Sequence, residues 1–168
     1  WIWFKSGYNA SFNDPAIDVP VGIYYFRKTI SIDNIEQLIK ADIIVTADNN
    51  YSLYVNGYRV TMNDSWQDVQ RLDIKGLLQN GGNVIAVEAK NIEVGHTSFH
   101  GYAKNPAGLI AKINLTDNSG AVKSIITDDT WKVTDELCGQ WDNNDFNDSE
   151  WQNAIVIEKK GLAKWEGA

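Results

Sequence analysis

The stretch TADNNYSLYVNGYRV, residues 46–60, decides the fold. Its second half alternates apolar and polar side chains on both sides of Asn56-Gly57, the pair that accepts the positive φ values of a tight two-residue turn. Residues 51–60 therefore read as a β-hairpin. The first half is less regular. Before it, ADIIVTAD (41–48) puts Ile43, Val45 and Ala47 on one face of a strand. Asp48, Asn49 and Asn50 then follow in a row, three residues that strands disfavour, before Tyr51 resumes the alternation. Such an insertion is either a polar turn or bulge whose Asx side chains bond their own backbone, or a set of oxygens and amides held for a ligand.

Working outward, the same period of two recurs in GIYYFRKTISI (22–32), QDVQRLDI (67–74), NVIAVEAKN (83–91), AGLIAKINL (107–115), AVKSIITD (121–128) and WKVT (131–134). Helical spacing is nearly absent. KGLLQNGG (75–82) reads as a short helical turn ending on glycines, and DNIEQLIKA (33–41) as one or two turns capped by Asp33 or Asn34. Many short strands with turn signals and no long helices predict an all-β fold, an antiparallel β-sandwich. At 168 residues the chain is expected to form a single domain, 1–168. The longest connections, 5–21, 92–106 and 135–150, are rich in aromatics and amides, and are expected to be ordered loops that carry function.

A formal net charge of -7 argues against nucleic acid, which needs a clustered basic face, and against docking to an anionic membrane surface. Seven Trp, seven Tyr and five Phe suit a protein that stacks rings on flat apolar faces such as those of sugars. Cys138 is the only cysteine, so an internal disulfide and a cysteine zinc site are both excluded. No nucleophile elbow or phosphate loop occurs, and no carboxylate pair is flagged by an apolar setting that would split its pKa values. The chain is therefore not expected to be an enzyme. A lyase using His100 and Tyr102 is the catalytic alternative.

WIWF at the start, then PVGIYYFRKTISI, ADNNYSLYVNGYRV, GGNVIAVEAKN, PAGLIAKI, TDDTWKV and FNDSEWQNA follow in an order that resembles one family. The chain is similar to the β-sandwich modules at the N-terminal side of bacterial α-L-rhamnosidases, within the wider group of galactose-binding-domain-like jelly rolls, which implies a jelly-roll sandwich. The resemblance runs from Trp1 to about Ala154. It implies a non-catalytic carbohydrate-binding module, or else a structural sandwich that braces a glycoside hydrolase or a protein partner without its own ligand. In the rhamnose-binding members an Asp-Asn pair ends the strand before the hairpin and contacts both the sugar and a calcium ion. Asp48 and Asn49 match that pair in position. The resemblance thus implies a rhamnose- or galactose-like sugar or polysaccharide as partner, Ca2+ as cofactor, and Asp48 and Asn49 as metal ligands. It also implies a bacterial extracellular or periplasmic protein whose module is tethered to other domains, in keeping with a sequence that opens at Trp1 without a Met or leader.

The expected ligand-binding residues are Asp48, Asn49, Asn50, Tyr51, Trp66, His100 and Tyr102. Carboxylate and amide oxygens are hard donors suited to calcium, and amides bond sugar hydroxyls in both directions. Calcium takes six to eight oxygens, so further donors are sought among Asp64, Asp68, Asp14 and Asp18. Trp66 sits in the polar loop MNDSWQDV, where its ring could stack on a sugar or plug the loop from beneath. His96, Phe99, His100 and Tyr102 share the loop NIEVGHTSFHGYAKNP, whose glycines and proline oppose a helical His pair. Trp131 and Trp151 are expected in the core, and Trp141 is a second-choice binding residue.

Overall fold

The computed structural model describes residues 1–4, 21–92 and 107–157. Twelve strands lie within them: β1 (Ile2–Trp3), β2 (Gly22–Ile32), β3 (Leu38–Asp48), β4 (Asn50–Val55), β5 (Tyr58–Asn63), β6 (Gln70–Asp73), β7 (Gly81–Asn91), β8 (Gly108–Asp117), β9 (Val122–Ile126), β10 (Lys132–Thr134), β11 (Gln152–Asn153) and β12 (Ile155–Val156). They form two antiparallel sheets. One has the order β12-β1-β8-β3-β6, with β9 also paired to β8; the other has the order β11-β10-β2-β7-β4-β5. The all-β sandwich expected from the alternation is what the chain forms.

The core lies between the sheets. From the first sheet, Ala41, Ile43, Val45 and Ala47 of β3 and Leu109, Ala111 and Ile113 of β8 point inward. From the second come Tyr24, Phe26 and Ile30 of β2, Ile85, Val87 and Ala89 of β7, and Tyr51, Leu53 and Val55 of β4. Trp3 and Trp131 are the largest fully buried side chains. The Trp131 Nε1–H donates to the Ile126 carbonyl at 3.1 Å, so burying its polar end leaves no donor unmatched.

The hairpin turns where its sequence says it should. Asn56 and Gly57 take φ values of 50° and 83°. The Asn56 side chain ties this turn to the start of β7: its Nδ2 donates to the Leu77 carbonyl (2.7 Å) and to Asn83 Oδ1 (2.8 Å), and its Oδ1 accepts from the Val84 N–H (2.8 Å). Gly57 has a second constraint, since a Cβ there would stand 2.1 Å from Asn143 Oδ1.

Two helical expectations shrink. Residues 33–41 give only a 3-10 turn at Ile35–Gln37, capped by Asn34, whose Oδ1 accepts from the Glu36 N–H at 3.0 Å. β3 begins at Leu38, because pairing along β8 satisfies more backbone than one further helical turn could. Residues 75–82 give a 3-10 turn at Lys75–Leu77, and both glycines of Gly81-Gly82 enter β7.

The outer face of the second sheet has its own cover. Tyr25, Val84, Ala86, Trp141 and Trp151 form a separate apolar cluster with Tyr54, Cys138 and Phe146 against it. Arg27, fully buried, anchors this cover. It donates to the carbonyls of Trp141, Asn143 (3.2 Å) and Phe146 (3.3 Å), and its Nε pairs with Asp148 Oδ2 at 2.9 Å. The 135–151 stretch is therefore a flap packed on a sheet, and Trp141 sits within it at 7% exposure, edge-on to Tyr25 at 4.9 Å. This differs from the expectation of a ligand loop carrying an accessible Trp141.

Candidate functional site

Asp48-Asn49-Asn50 is the point where the chain leaves one sheet for the other. Asp48 ends β3 in the first sheet, Asn49 is the single linking residue, and Asn50 opens β4 in the second. A crossover ends one ladder before the next begins, which is why strand-averse residues stand here. The peptide bond between Asp48 and Asn49 is cis. Asn49 carries most of the local backbone accounting: its N–H donates to the Lys90 carbonyl (3.1 Å), and its Oδ1 accepts from the Ile92 N–H (2.8 Å). Asn49 thus clamps the end of β7 to the crossover, with one lone pair of its Oδ1 in use.

Asp48 and Asn50 differ from it. The Asp48 carboxylate has no hydrogen-bond or salt-bridge partner among the described residues, and burial raises its pKa above the usual carboxylate value. Asn50 Oδ1 is buried and without a hydrogen-bond partner among the described residues. A desolvated carboxylate and an orphaned amide oxygen, two residues apart, are acceptors left over by the fold. That is the donor set a hard cation or a cluster of hydroxyls satisfies.

Strand alternation puts Asp48 on the outer face of the first sheet, with Thr46 two residues before it. Thr46 is fully buried beneath the loop that follows β5, and its Oγ1 donates to the Trp66 carbonyl at 3.0 Å. Asn63 shapes this loop: its Oδ1 accepts from the Ser65 N–H (2.7 Å) and its Nδ2 donates to Asp68 Oδ2 (2.7 Å). Trp66 is 48% exposed, so the ring is at the surface and does not plug its loop. Asp64 and Asp68 are exposed, and Asp68 is occupied in holding the turn.

Across the ladder, Asp48 pairs with Gly108. A Cβ at that position would lie 2.6 Å from Cε3 of Trp1, so the glycine makes room for the half-buried Trp1 indole. The Trp1 ring therefore stands on the outer face next to Asp48. The sequence reading did not include Trp1 among the candidate binding residues. The usable signal was Gly108 itself, a residue without a side chain opening an otherwise continuous apolar strand.

Tyr51 belongs elsewhere. It is 3% exposed, its hydroxyl donates to the Val45 carbonyl at 3.3 Å, and burial, with Asp68 adding to it, raises its pKa far above the usual phenol value. The structure places Tyr51 between the sheets, because strand alternation turns it to the face opposite Asn50. His100 and Tyr102, with His96, Phe99, Asp14 and Asp18, lie outside the described residues. The strand ends at Asn91 and Gly108, to which the 92–107 connection attaches, are at the Asp48 end of the sandwich. Among the described residues no group of three or more His, Cys, Asp or Glu could hold a metal.

A curated α-L-rhamnosidase of Streptomyces avermitilis is 33% identical over 98% of this chain. This chain is homologous to one domain of the α-L-rhamnosidases. It spans 15% of that relative's length, and 18% of a second rhamnosidase, from Formosa agariphila, at 24% identity. The solved structure of the Streptomyces avermitilis enzyme, complexed with L-rhamnose, superposes with a TM-score of 0.77 at 32% identity, covering 94% of this chain and 14% of that one. A Pleurotus ostreatus lectin in complex with GalNAc superposes with a TM-score of 0.75 at 26% identity, covering 94% of this chain and 42% of the lectin's. No protein-family model matches the chain. The fold is thus a galactose-binding-domain-like β-sandwich, found both within rhamnosidases and in a lectin.

Proposed function

We propose that the chain is a non-catalytic carbohydrate-binding module of a larger glycoside hydrolase, acting outside the cytoplasm, and that it binds a rhamnose- or galactose-like sugar at the Asp48 crossover with the help of Ca2+. The observation that carries this reading is the pair of leftover acceptors, the Asp48 carboxylate and Asn50 Oδ1, at the end of β3. The relatives support it: one is a rhamnosidase complexed with L-rhamnose and another a lectin in complex with GalNAc.

The residues divide the work. Asp48 supplies the negative charge that a calcium ion needs and accepts from sugar hydroxyls. Asn50 Oδ1 is a neutral oxygen donor to either. Asn49 orients the crossover and keeps its amide Nδ2 as a hydroxyl partner. Trp66 and Trp1 offer ring faces on the same outer surface, where the apolar side of a pyranose can lie. When bound, calcium neutralises the buried carboxylate and fixes the hydroxyls that complete its shell. His100 and Tyr102, which lie outside the described residues, are further candidate sugar contacts on the sequence reading alone.

Isothermal titration against L-rhamnose, D-galactose and GalNAc, with calcium and with chelator, tests the reading. Heat with one sugar in calcium, lost on chelation and in Asp48→Ala, is expected. A folded protein that gives no heat with any of them, or heat unchanged by Asp48→Ala, would sink it.

A further inference from the structure

A second surface on the outer face of the first sheet has chemistry the Asp48 site lacks. A groove of about 400 Å3 crosses strands β6, β3, β8 and β9, in the size range of ligand clefts. Among the described residues its charged lining is Lys40, Arg71 and Lys112 against one carboxylate, Asp42, in a chain whose net charge is -7. Asp42 is built into the floor. It is 4% exposed, and both oxygens are taken: Oδ1 by Lys40 Nζ (3.3 Å), Oδ2 by Arg71 Nη1 (3.3 Å) and Asn114 Nδ2 (3.2 Å). Asn114 is held in turn by Ser124, whose Oγ donates to its Oδ1 at 2.8 Å.

This arrangement orients Arg71 and Lys40 without using them up. The Arg71 side chain is 49% exposed and engages Asp42 through Nη1 alone; its other N–H groups have no partner among the described residues. A guanidinium fixed at one nitrogen and open at the rest is preorganised for a second, planar oxyanion. Beside it the floor is apolar, from Ile44 and Ile110. A cationic fork next to an apolar ledge matches a ring that bears one carboxylate, while the overall negative charge disfavours a polyanion such as nucleic acid.

We propose that this groove binds an acidic sugar, a uronate residue of a glycan, with Arg71 and Lys40 holding its carboxylate and Ile44 and Ile110 beneath its ring. β3 carries both surfaces on one face, with Asp42 and Asp48 six residues, or about 20 Å, apart. The proposal stands whether or not the Asp48 crossover binds a sugar.

The test is NMR of the 15N-labelled chain titrated with D-glucuronate, and in parallel with D-glucose, sodium acetate and a short poly-glutamate peptide. Glucuronate is expected to shift the backbone amides around Arg71, Lys112 and Ser124, and glucose to leave them in place. Arg71→Gln should weaken glucuronate binding by about tenfold to a hundredfold, the loss expected for a charge-assisted hydrogen-bond pair. Its own spectrum reports its folding, and Lys40→Gln serves as the second variant. Asp48→Ala should leave the glucuronate shifts unchanged, which separates this site from the crossover. Acetate binding as tightly as glucuronate would overturn the sugar assignment, and tighter binding of poly-glutamate would reassign the groove to an acidic peptide. Glucuronate shifts that persist in both Arg71→Gln and Lys40→Gln, or no shifts at all, would overturn the site.

Discussion

Arg27→Met removes the one charge around which the 135–151 flap is arranged, while keeping an apolar stem of similar length. The Arg27 side chain is 1% exposed and its partner Asp148 24%. Removing one member of a buried ion pair costs about 3–5 kcal/mol, and the partial exposure of Asp148 puts this pair at the lower end, about 3 kcal/mol. The carbonyls of Trp141, Asn143 and Phe146 also lose their donor, at about 1–3 kcal/mol each if they stay buried. They can reach water if the flap lifts, at the expense of the burial of its own stacked Trp141–Trp151 pair against the sheet. The expected loss is thus about 3–5 kcal/mol, which for a chain of this size lowers Tm by about 6–20 °C. Calorimetry gives the shift, and tryptophan fluorescence should move to the red as Trp141 and Trp151 meet water. Asp148→Asn, which keeps an acceptor for Arg27, should lose less. A fall in Tm of less than about 2 °C with unchanged fluorescence would refute the argument that Arg27 holds the flap.

Four further outcomes follow from the same geometry. Asp48 has its pKa raised in the folded state, so the native state binds more protons than the unfolded chain between the ordinary carboxylate value of 3.8 and the raised one; stability falls as pH rises through that window and stays lower above it. Without calcium, Asp48→Asn should therefore raise Tm at neutral pH and leave it unchanged at pH values below 3.8, as read by thermal melts across pH. Adding calcium should raise the wild-type Tm and not that of Asp48→Asn, in the same melts. Trp66→Ala should weaken sugar binding about threefold to tenfold in titration calorimetry while leaving Tm within error, since the ring is at the surface and only the backbone carbonyl serves Thr46. Tyr51→Phe should cost about 1 kcal/mol in chemical denaturation, the hydroxyl's bond to Val45, and leave sugar affinity unchanged.

The fold was legible because its signals are local. A period of two and an Asn-Gly pair specify strands and a turn from residues a few positions apart, and the hairpin at residues 56–57 forms as they say. The short helical expectation at 33–41 failed because a distant strand, β8, offers residues 38–41 a ladder that no local pattern reveals. The break between the sheets was legible at one point, the strand-averse Asp48-Asn49-Asn50 that the candidate site rests on, and the surroundings were not. Tyr51 was grouped with its neighbours by adjacency, yet adjacent strand residues face opposite ways, and this one faces in. Trp1 comes to lie over Gly108, the ladder partner of Asp48, through a strand pairing across more than a hundred residues. Trp141 is turned onto the sheet within a flap organised by Arg27, and neither relation leaves a mark in sequence spacing.

The most direct test of the account is a crystal structure of the chain grown with calcium and L-rhamnose. It should show an ion or sugar oxygens on the Asp48 carboxylate and Asn50 Oδ1, with the pyranose against Trp66 or Trp1. Both acceptors bare, or a sugar bound well away from the crossover, would contradict it.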